Sequence, residues 1–255
     1  MKYILYLIIV LFPIRSIAQE VEDIVTDRPD ETESATLITK GYLQVETGFF
    51  YEELKENSFL EKTWAYNTSL LRYGLLENLE LRLGLDVIDK VEISDDFLME
   101  PGTGLSPLLL GVKVGITEEK GVLPKMALLG HLYLPFTAKK AYRPESTGVD
   151  FRFAFNHEFT NSNLSYNLGA KWWDDAPHAT YIYTMAYGYD LTEKLGVLVE
   201  LYGDLPEKDG PSHHWDGGFT YLVTKNFQLD AFIGSGLNNE QHIIYGGGIS
   251  IRIPN

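Results

Sequence analysis

Residues 79–87 read Leu-Glu-Leu-Arg-Leu-Gly-Leu-Asp-Val. Leu79, Leu81, Leu83, Leu85 and Val87 alternate without a break with Glu80, Arg82, Gly84 and Asp86. Successive side chains of a strand point to opposite faces, so this stretch makes one apolar face and one charged face. One such strand fits a soluble sandwich. The pattern here recurs along the chain from Lys40 onward.

Working outward, residues 42–52 set Leu43, Val45, Thr47, Phe49 and Tyr51 against Gln44, Glu46 and Gly48. Residues 108–116, 125–134, 149–158, 164–173, 180–190, 196–204, 215–223, 227–234 and 243–252 alternate in the same way. Residues 63–73 also read as a strand, but aromatic and polar groups fall on both faces and no phase is assigned. The total is about twelve strands, each long enough to cross a bilayer when tilted.

The connections alternate in length. Short ones fall near Glu77-Asn78, Glu118–Lys120, Thr160–Asn163, Thr192–Lys194 and Thr224–Asn226. Longer ones fall near 53–62, 92–105, 137–148, 174–178, 205–213 and 237–241. Short periplasmic turns with longer outer loops are the habit of outer-membrane barrels. Lipid leaves no edge strand a partner, so the expected fold is all-β, a closed antiparallel transmembrane barrel. An even strand number puts both ends of the barrel chain on the periplasmic side. Aromatics near strand ends are expected to form two girdles at headgroup depth: Phe49, Tyr51, Trp64, Phe136, Trp172, Trp173, Tyr181 and Trp215 by the loops, and Tyr42, Tyr73, Phe159, Tyr189 and Phe227 by the turns.

The first residues read as a secretory signal. Lys2 supplies the positive charge, Tyr3 to Phe12 the short apolar run, and Ser16-Ile17-Ala18 the small residues of a cleavage site. The expected organisation is therefore a signal peptide at 1–18, a polar segment at 19–39 and a barrel at 40–255. The polar segment either hangs in the periplasm or folds into the lumen as a plug, with Asp27-Arg28-Pro29-Asp30 as a self-paired turn. No cysteine is present, which excludes disulfides and thiolate chemistry. The formal charge is −15, and loss of residues 1–18 removes only Lys2 and Arg15. So acidic a chain is a poor partner for nucleic acid.

With the apolar faces toward lipid, the other faces line the lumen. They carry the acids Glu46, Glu80, Asp86, Asp150, Glu158, Asp190, Glu200, Asp216 and Asp230, with His131. The bases are Arg82, Lys113, Lys125, Arg152, Lys171 and Arg252. Charges so placed must pair or stay wet. The excess of acid favours cations if a continuous path exists, and a barrel of intermediate size predicts a narrow one.

Several stretches carry a family resemblance. They are TDRPDETESA (Thr26 to Ala35), KGYLQVETGF (Lys40 to Phe49), LRYGL (Leu71 to Leu75), LELRLG (Leu79 to Gly84) and GVKVG (Gly111 to Gly115). Together they resemble the outer-membrane transporter family grouped under the meta-pathway of phenol degradation. The resemblance implies a barrel and a transport role without naming a ligand. The expected function is passive passage of small molecules, hydrophobic or aromatic ones included, across the bacterial outer membrane. Lipid bilayer, lipopolysaccharide, a small-molecule solute and the barrel assembly machinery are the expected partners. The sequence ends Ile251-Arg252-Ile253-Pro254-Asn255, without the terminal aromatic that many outer-membrane barrels present to that machinery.

Other chemistries find weak support. A lipid hydrolase needs a paired Ser and His near the outer leaflet. His178, His213, His214 and His242 lie near outer loops, but Ser212-His213 reads as a solvated dipeptide. His213-His214 with Asp216 has a spacing common by chance, so no metal site is expected. Gly217-Gly218 and Gly246-Gly247-Gly248 lack the helix and Lys-Ser/Thr of a phosphate loop, so no cofactor is expected. A lipid-modifying hydrolase and a closed structural or adhesive barrel remain as alternatives. On the signal pattern, N-terminal sequencing by mass spectrometry of protein extracted from membranes should begin at Gln19; a product starting at Met1 would refute export.

Overall fold

The computed structural model describes residues 22–56, 58–94, 97–173, 178–238 and 241–254. The expected signal peptide and its cleavage site lie outside these residues. The strands are β1 (Leu43–Glu56), β2 (Phe59–Leu76), β3 (Leu79–Ser94), β4 (Phe97–Met99), β5 (Gly104–Leu105), β6 (Leu108–Thr117) and β7 (Lys125–Leu134). They continue as β8 (Gly148–Glu158), β9 (Ser162–Trp172), β10 (Thr180–Asp190), β11 (Leu195–Pro206), β12 (Ser212–Thr224), β13 (Phe227–Gly236) and β14 (Gln241–Ile253). β4 and β5 are short pieces within one connection, and the other twelve are staves. Each stave pairs antiparallel with the next. β1 and β14 close the circuit from Leu43 opposite Ile253 to Lys55 opposite Gln241. The fold is the closed twelve-stranded barrel that the alternation predicts.

The core is inverted relative to a soluble protein. Among the described residues, the large side chains fully removed from solvent are Arg72, Lys113, Gln44, Glu46, Glu80, Glu200 and Asn167, with Leu129 as the apolar member. Leu81, Val112, Phe153 and Leu229 stand exposed on the outer face, while Glu80, Lys113 and Asp230 are buried inside. An apolar outer band and a polar interior are stable in lipid and unstable in water.

Two departures from regular alternation set the geometry. The first is a bulge in β2 between Ala65 and Asn67. One extra residue reverses the side-chain phase. Before it Thr63 and Ala65 face inward; after it the inward set is Thr68, Leu70, Arg72 and Gly74, opposite Asp86, Gly84, Arg82 and Glu80 of β3. No single phase fits residues 63–73 because the strand has two. The second concerns β3, which pairs β6 only from Leu79 to Gly84. Beyond that its partners are β5 and β4. The connection holding β4 and β5 is tied down by Lys139, whose ammonium donates to the carbonyls of Pro101, Gly102 and Thr103 at 2.6, 2.9 and 3.0 Å.

Some expected boundaries move. β1 and β2 extend through most of the expected loop 53–62, and β3 runs to Ser94. The turn after β6 occupies residues 118–124 rather than 118–120. Outer-face ring pairs mark the loop-side girdle: Tyr51 with Trp64 at 5.3 Å and with Tyr245 at 5.4 Å, and Phe151 with Trp172 at 5.9 Å. Trp173 does not join them. One residue past Trp172, it takes the inward phase and packs edge-on against Tyr133 at 4.7 Å.

This wall predicts an asymmetry. Leu81→Arg and Leu229→Arg should each cost roughly 2–4 kcal/mol of folding stability in vesicles. Thr220→Arg, placed inside opposite Asp230, should cost far less. Urea unfolding in phospholipid vesicles measures both, and equal costs would refute the assigned phase.

Candidate functional site

Residues 22–42 run inside the barrel as a polar hairpin. At the turn end, the Ile24 N–H donates to the Lys225 carbonyl at 2.9 Å. Gln44 Nε2 donates to the Val25 carbonyl at 2.8 Å. The tip is residues 29–32. There the Glu31 N–H donates to Glu200 Oε2 at 2.8 Å, and Thr32 Oγ1 contacts Glu200 Oε1 and lies 2.7 Å from Thr184 Oγ1. Glu33 and Asn167 exchange a reciprocal pair, backbone N–H to Oδ1 and Nδ2 to carbonyl, both at 2.8 Å. Returning, the Ile38 N–H donates to Glu80 Oε2 at 3.0 Å and the Gly41 N–H to the Gly74 carbonyl at 2.7 Å. A Cβ on Gly74 would collide with the carbonyls of Ile38 and Thr39, so this close approach requires glycine. Apolar contact is slight: Ala35, with Leu37 beside it, packs on Ala127, Leu129 and Ala154.

Asp27 is the anchor. Its Oδ2 lies 2.7 Å from Arg82 Nη1, 3.1 Å from Lys113 Nζ and 3.2 Å from Arg72 Nη1. Its Oδ1 accepts the Ser34 N–H at 2.9 Å, and its own N–H donates to Glu46 Oε2 at 2.9 Å. Arg72 completes the cluster, donating from Nε to Glu80 Oε1 and from Nη1 to Glu46 Oε1, both at 2.8 Å. Three cations thus meet Asp27, Glu46 and Glu80. Glu33 adds an ion pair to Arg82 at 2.7 Å, without hydrogen-bond alignment at its Oε2. Burial alone would push the Asp27 carboxyl up. Arg72, Lys113 and Arg82 overcome it and hold the group well below the usual carboxylate range.

Arg28 turns from this cluster across β1 and β14 toward β13. Its Nη2 lies 3.0 Å from Asp230 Oδ1, its Nε donates to Asp230 Oδ2 at 3.2 Å, and its Nη1 donates to Thr68 Oγ1 at 3.2 Å. It crosses Gly48 and Gly248, which face each other on β1 and β14, and a Cβ at either would strike the guanidinium.

The hairpin separates two spaces. On the loop side a cavity of about 720 Å³ has Asp27 to Glu31 as its floor, and its walls include Phe50, Glu52, Asp86, Tyr133, Trp173, Tyr202, Asp216, Phe232 and Ile244. On the turn side a cavity of about 420 Å³ is lined by Val25, Leu37, Ile38, Tyr42, Gln44 and Arg252, among others.

Glu46, Glu80, Arg82 and Lys113 converge on Asp27. His131 Nδ1 and Asp150 Oδ1 form a separate buried pair at 2.9 Å, with Arg152 Nη2 3.6 Å from Asp150 Oδ2. Glu200 and Asp216 lie opposite each other near the tip, and Asp230 takes Arg28. Lys171 pairs with Asp204 at 2.8 Å on the loop side. Lys125 pairs with Glu118 at 3.4 Å, and Arg252 donates to Asn226 Oδ1 at 2.8 Å, both at the turn end. Glu158 and Asp190 are exposed at that same rim rather than buried in the lumen, because each ends its strand. Sequence reading missed Arg72. Leu71-Arg72-Tyr73-Gly74-Leu75 read alone gives the right phase; the bulge at residue 66 hides it in a longer window.

Asp27→Asn should strip the one carboxylate that Arg72, Arg82 and Lys113 share and weaken docking of the hairpin by about 3–5 kcal/mol. Because the docked pKa of Asp27 is lowered, its contribution is full above the free value near ~4 and is lost as pH falls below it. Single-channel recordings should show more open time for Asp27→Asn at pH 7, and for the unmodified protein only in acid. Identical traces for the two proteins at pH 7 would contradict the anchor.

Comparison with known proteins agrees with this architecture. An outer membrane channel from Pseudomonas putida F1 superposes with a TM-score of 0.66 at 12% identity, over 90% of this chain and all of that one. The translocator domain of the autotransporter NalP from Neisseria meningitidis gives 0.54 at 8% identity, over 84% and 90%. The KdgM porin in complex with oligogalacturonate gives 0.50 at 8% identity, over 80% and 98%. No curated protein matches. The family model described as "Putative MetA-pathway of phenol degradation" matches residues 26–253. With nearly all of the barrel and its internal hairpin inside that match, the chain belongs to this family.

Proposed function

We propose that the protein is an outer-membrane channel for passive passage of small, chiefly apolar or aromatic molecules, and that the hairpin at 22–42 is its plug. The observation that carries this is a polar segment lying between two cavities of one lumen. Its attachments are ion pairs and hydrogen bonds, which water can replace when the segment moves. An apolar plug would expose its core on leaving. The loop-side cavity carries aromatic and aliphatic walls at Phe50, Phe232, Ile244 and Tyr202, which suit a solute with an apolar or aromatic body better than a sugar. Family membership and the like-folded channel from Pseudomonas putida F1 point the same way.

A hydrolase reading is less well supported. His213 Nδ1 meets the Tyr183 hydroxyl at 2.7 Å, and His242 meets Glu52 at 2.8 Å and His214 at 3.3 Å. His178 meets Glu207 at 3.1 Å. These loop-side histidines are occupied by groups other than serine.

Purified protein in liposomes carrying lipopolysaccharide tests the reading. Catechol should enter faster than in protein-free vesicles, and Arg28→Ala, which removes the hairpin's bonds to Asp230 and Thr68, should raise the rate at least several-fold. No catechol entry with either protein, together with hydrolysis of the phospholipid, would replace the channel by the enzyme.

A further inference from the structure

The loop-side cavity is unequal in charge. Glu200 and Asp216 sit directly opposite on β11 and β12, an arrangement that sets like charges side by side. The hairpin tip adds Asp30 and Glu31 to the same floor. Among the described residues none of these four carboxyls has a cation within ion-pair distance. Arg28 is spent on Asp230, Arg152 on Asp150, and Lys171 on Asp204. Arg152 reaches Glu31 only at its backbone carbonyl, at 3.3 Å. Burial, with Glu200 next in effect, pushes the Asp30 carboxyl well up.

A second observation points into the cavity. Asp216 is 2% exposed, yet its Oδ1 has no hydrogen-bond partner. A buried carboxylate oxygen left open costs free energy that a donor would recover. Glu46, Glu80 and Asp150 of the barrel wall each have an arginine of the wall within ion-pair distance. Here the barrel places no such donor, and Asp216 borders the loop-side cavity.

We propose that this cavity is a binding site for an amphipathic organic cation, its ammonium group against Asp216, Glu31 and Asp30 and its apolar or aromatic body against Phe50, Phe232 and Ile244. A volume of about 720 Å³ suits a small organic molecule. An anion is repelled by the floor. A hydrated inorganic cation uses the charges and leaves the apolar walls wet. This inference rests on the reading of the lumen as a solute path and narrows its solute class.

Trp173 lines the cavity, so its fluorescence reports occupancy, with Trp173→Phe as the control for the other tryptophans. Titrate the detergent-solubilised protein at pH 7 and constant ionic strength with 2-phenylethylamine and with 2-phenylethanol. The amine should half-saturate at a concentration about ten-fold lower or better. Glu31→Gln, at an exposed position on the tip, should remove most of that preference while the heat-modifiable gel shift of the folded barrel persists. Asp216→Asn should do the same. Equal binding of amine and alcohol, no binding of the amine, or a preference unchanged in both variants would each overturn the site, as would equal competition by potassium. Flux keeps the two readings apart. Catechol entry without amine-selective binding removes the site and leaves the channel, whereas amine-selective binding without flux of any solute supports the site and removes the channel.

Discussion

The carboxylate of Asp27, shared by Arg72, Arg82 and Lys113, is the interaction on which the lumen depends. A barrel in lipid has no choice about where its polar residues go, since every second side chain must face inward. Six charged groups crowd one level of a narrow interior, and three of them are cations at zero or near-zero exposure. The wall supplies Glu46 and Glu80 against them. That is one negative charge too few. The hairpin brings Asp27, shared by all three cations, and Glu33, which pairs with Arg82; the Ser34 N–H donates to the Asp27 carboxylate and the Asp27 N–H donates to that of Glu46. The wall and its filling are one electrostatic unit, though the strands close on their own hydrogen bonds.

The lumen is also polarised across its width. Arg72, Arg82, Lys113 and Arg152 lie on β2, β3, β6 and β8, whereas Glu200, Asp216 and Asp230 lie on β11, β12 and β13. Adjacent residues of the hairpin match this field: Asp27 meets the basic wall and Arg28 the acidic one. A single reversal of order in that pair would set like against like on both sides. Glycine matters as much as charge here, because Gly48 and Gly248 leave the corridor through which Arg28 reaches Asp230.

The wall was legible in the sequence because its rule is local. Each strand declares its own phase, as Leu79 to Val87 does. The inward placement of Glu80, Lys113 and Asp230 follows from period two alone. Arg72 escaped because one inserted residue at position 66 changes the phase midway through β2, and a window spanning both halves averages them. The hairpin's path was legible only as two alternatives. Its partners, from Glu46 to Asp230, are set by which staves face each other across the lumen, and that depends on closure and stagger rather than on any local pattern. The same holds for Trp173, where one step past the end of β9 changes a girdle residue into a cavity wall.

A filling held by charge differs from one held by apolar packing in how it can leave. Withdrawing a hydrophobic core exposes area in proportion to its size, with nothing in water to offset the loss. The hairpin buries little of that kind, essentially Ala35 and Leu37 against Ala127, Leu129 and Ala154. The rest of its attachment is exchanged, one hydrogen bond or ion pair at a time, for hydration of groups that the wall already aims inward. Buried ion pairs return on separation much of the desolvation that their formation cost. The hairpin is therefore specific in place, since a mismatched charge is expensive, without being tightly bound in proportion to its contacts. Its tip extends this logic to the loop side, where Glu31 serves the hairpin through its N–H to Glu200 and the cavity through its carboxyl. Anything bound at that carboxyl acts on the same short segment that Asp27 anchors four residues before Glu31, so occupancy of the cavity and docking of the hairpin are coupled by linkage.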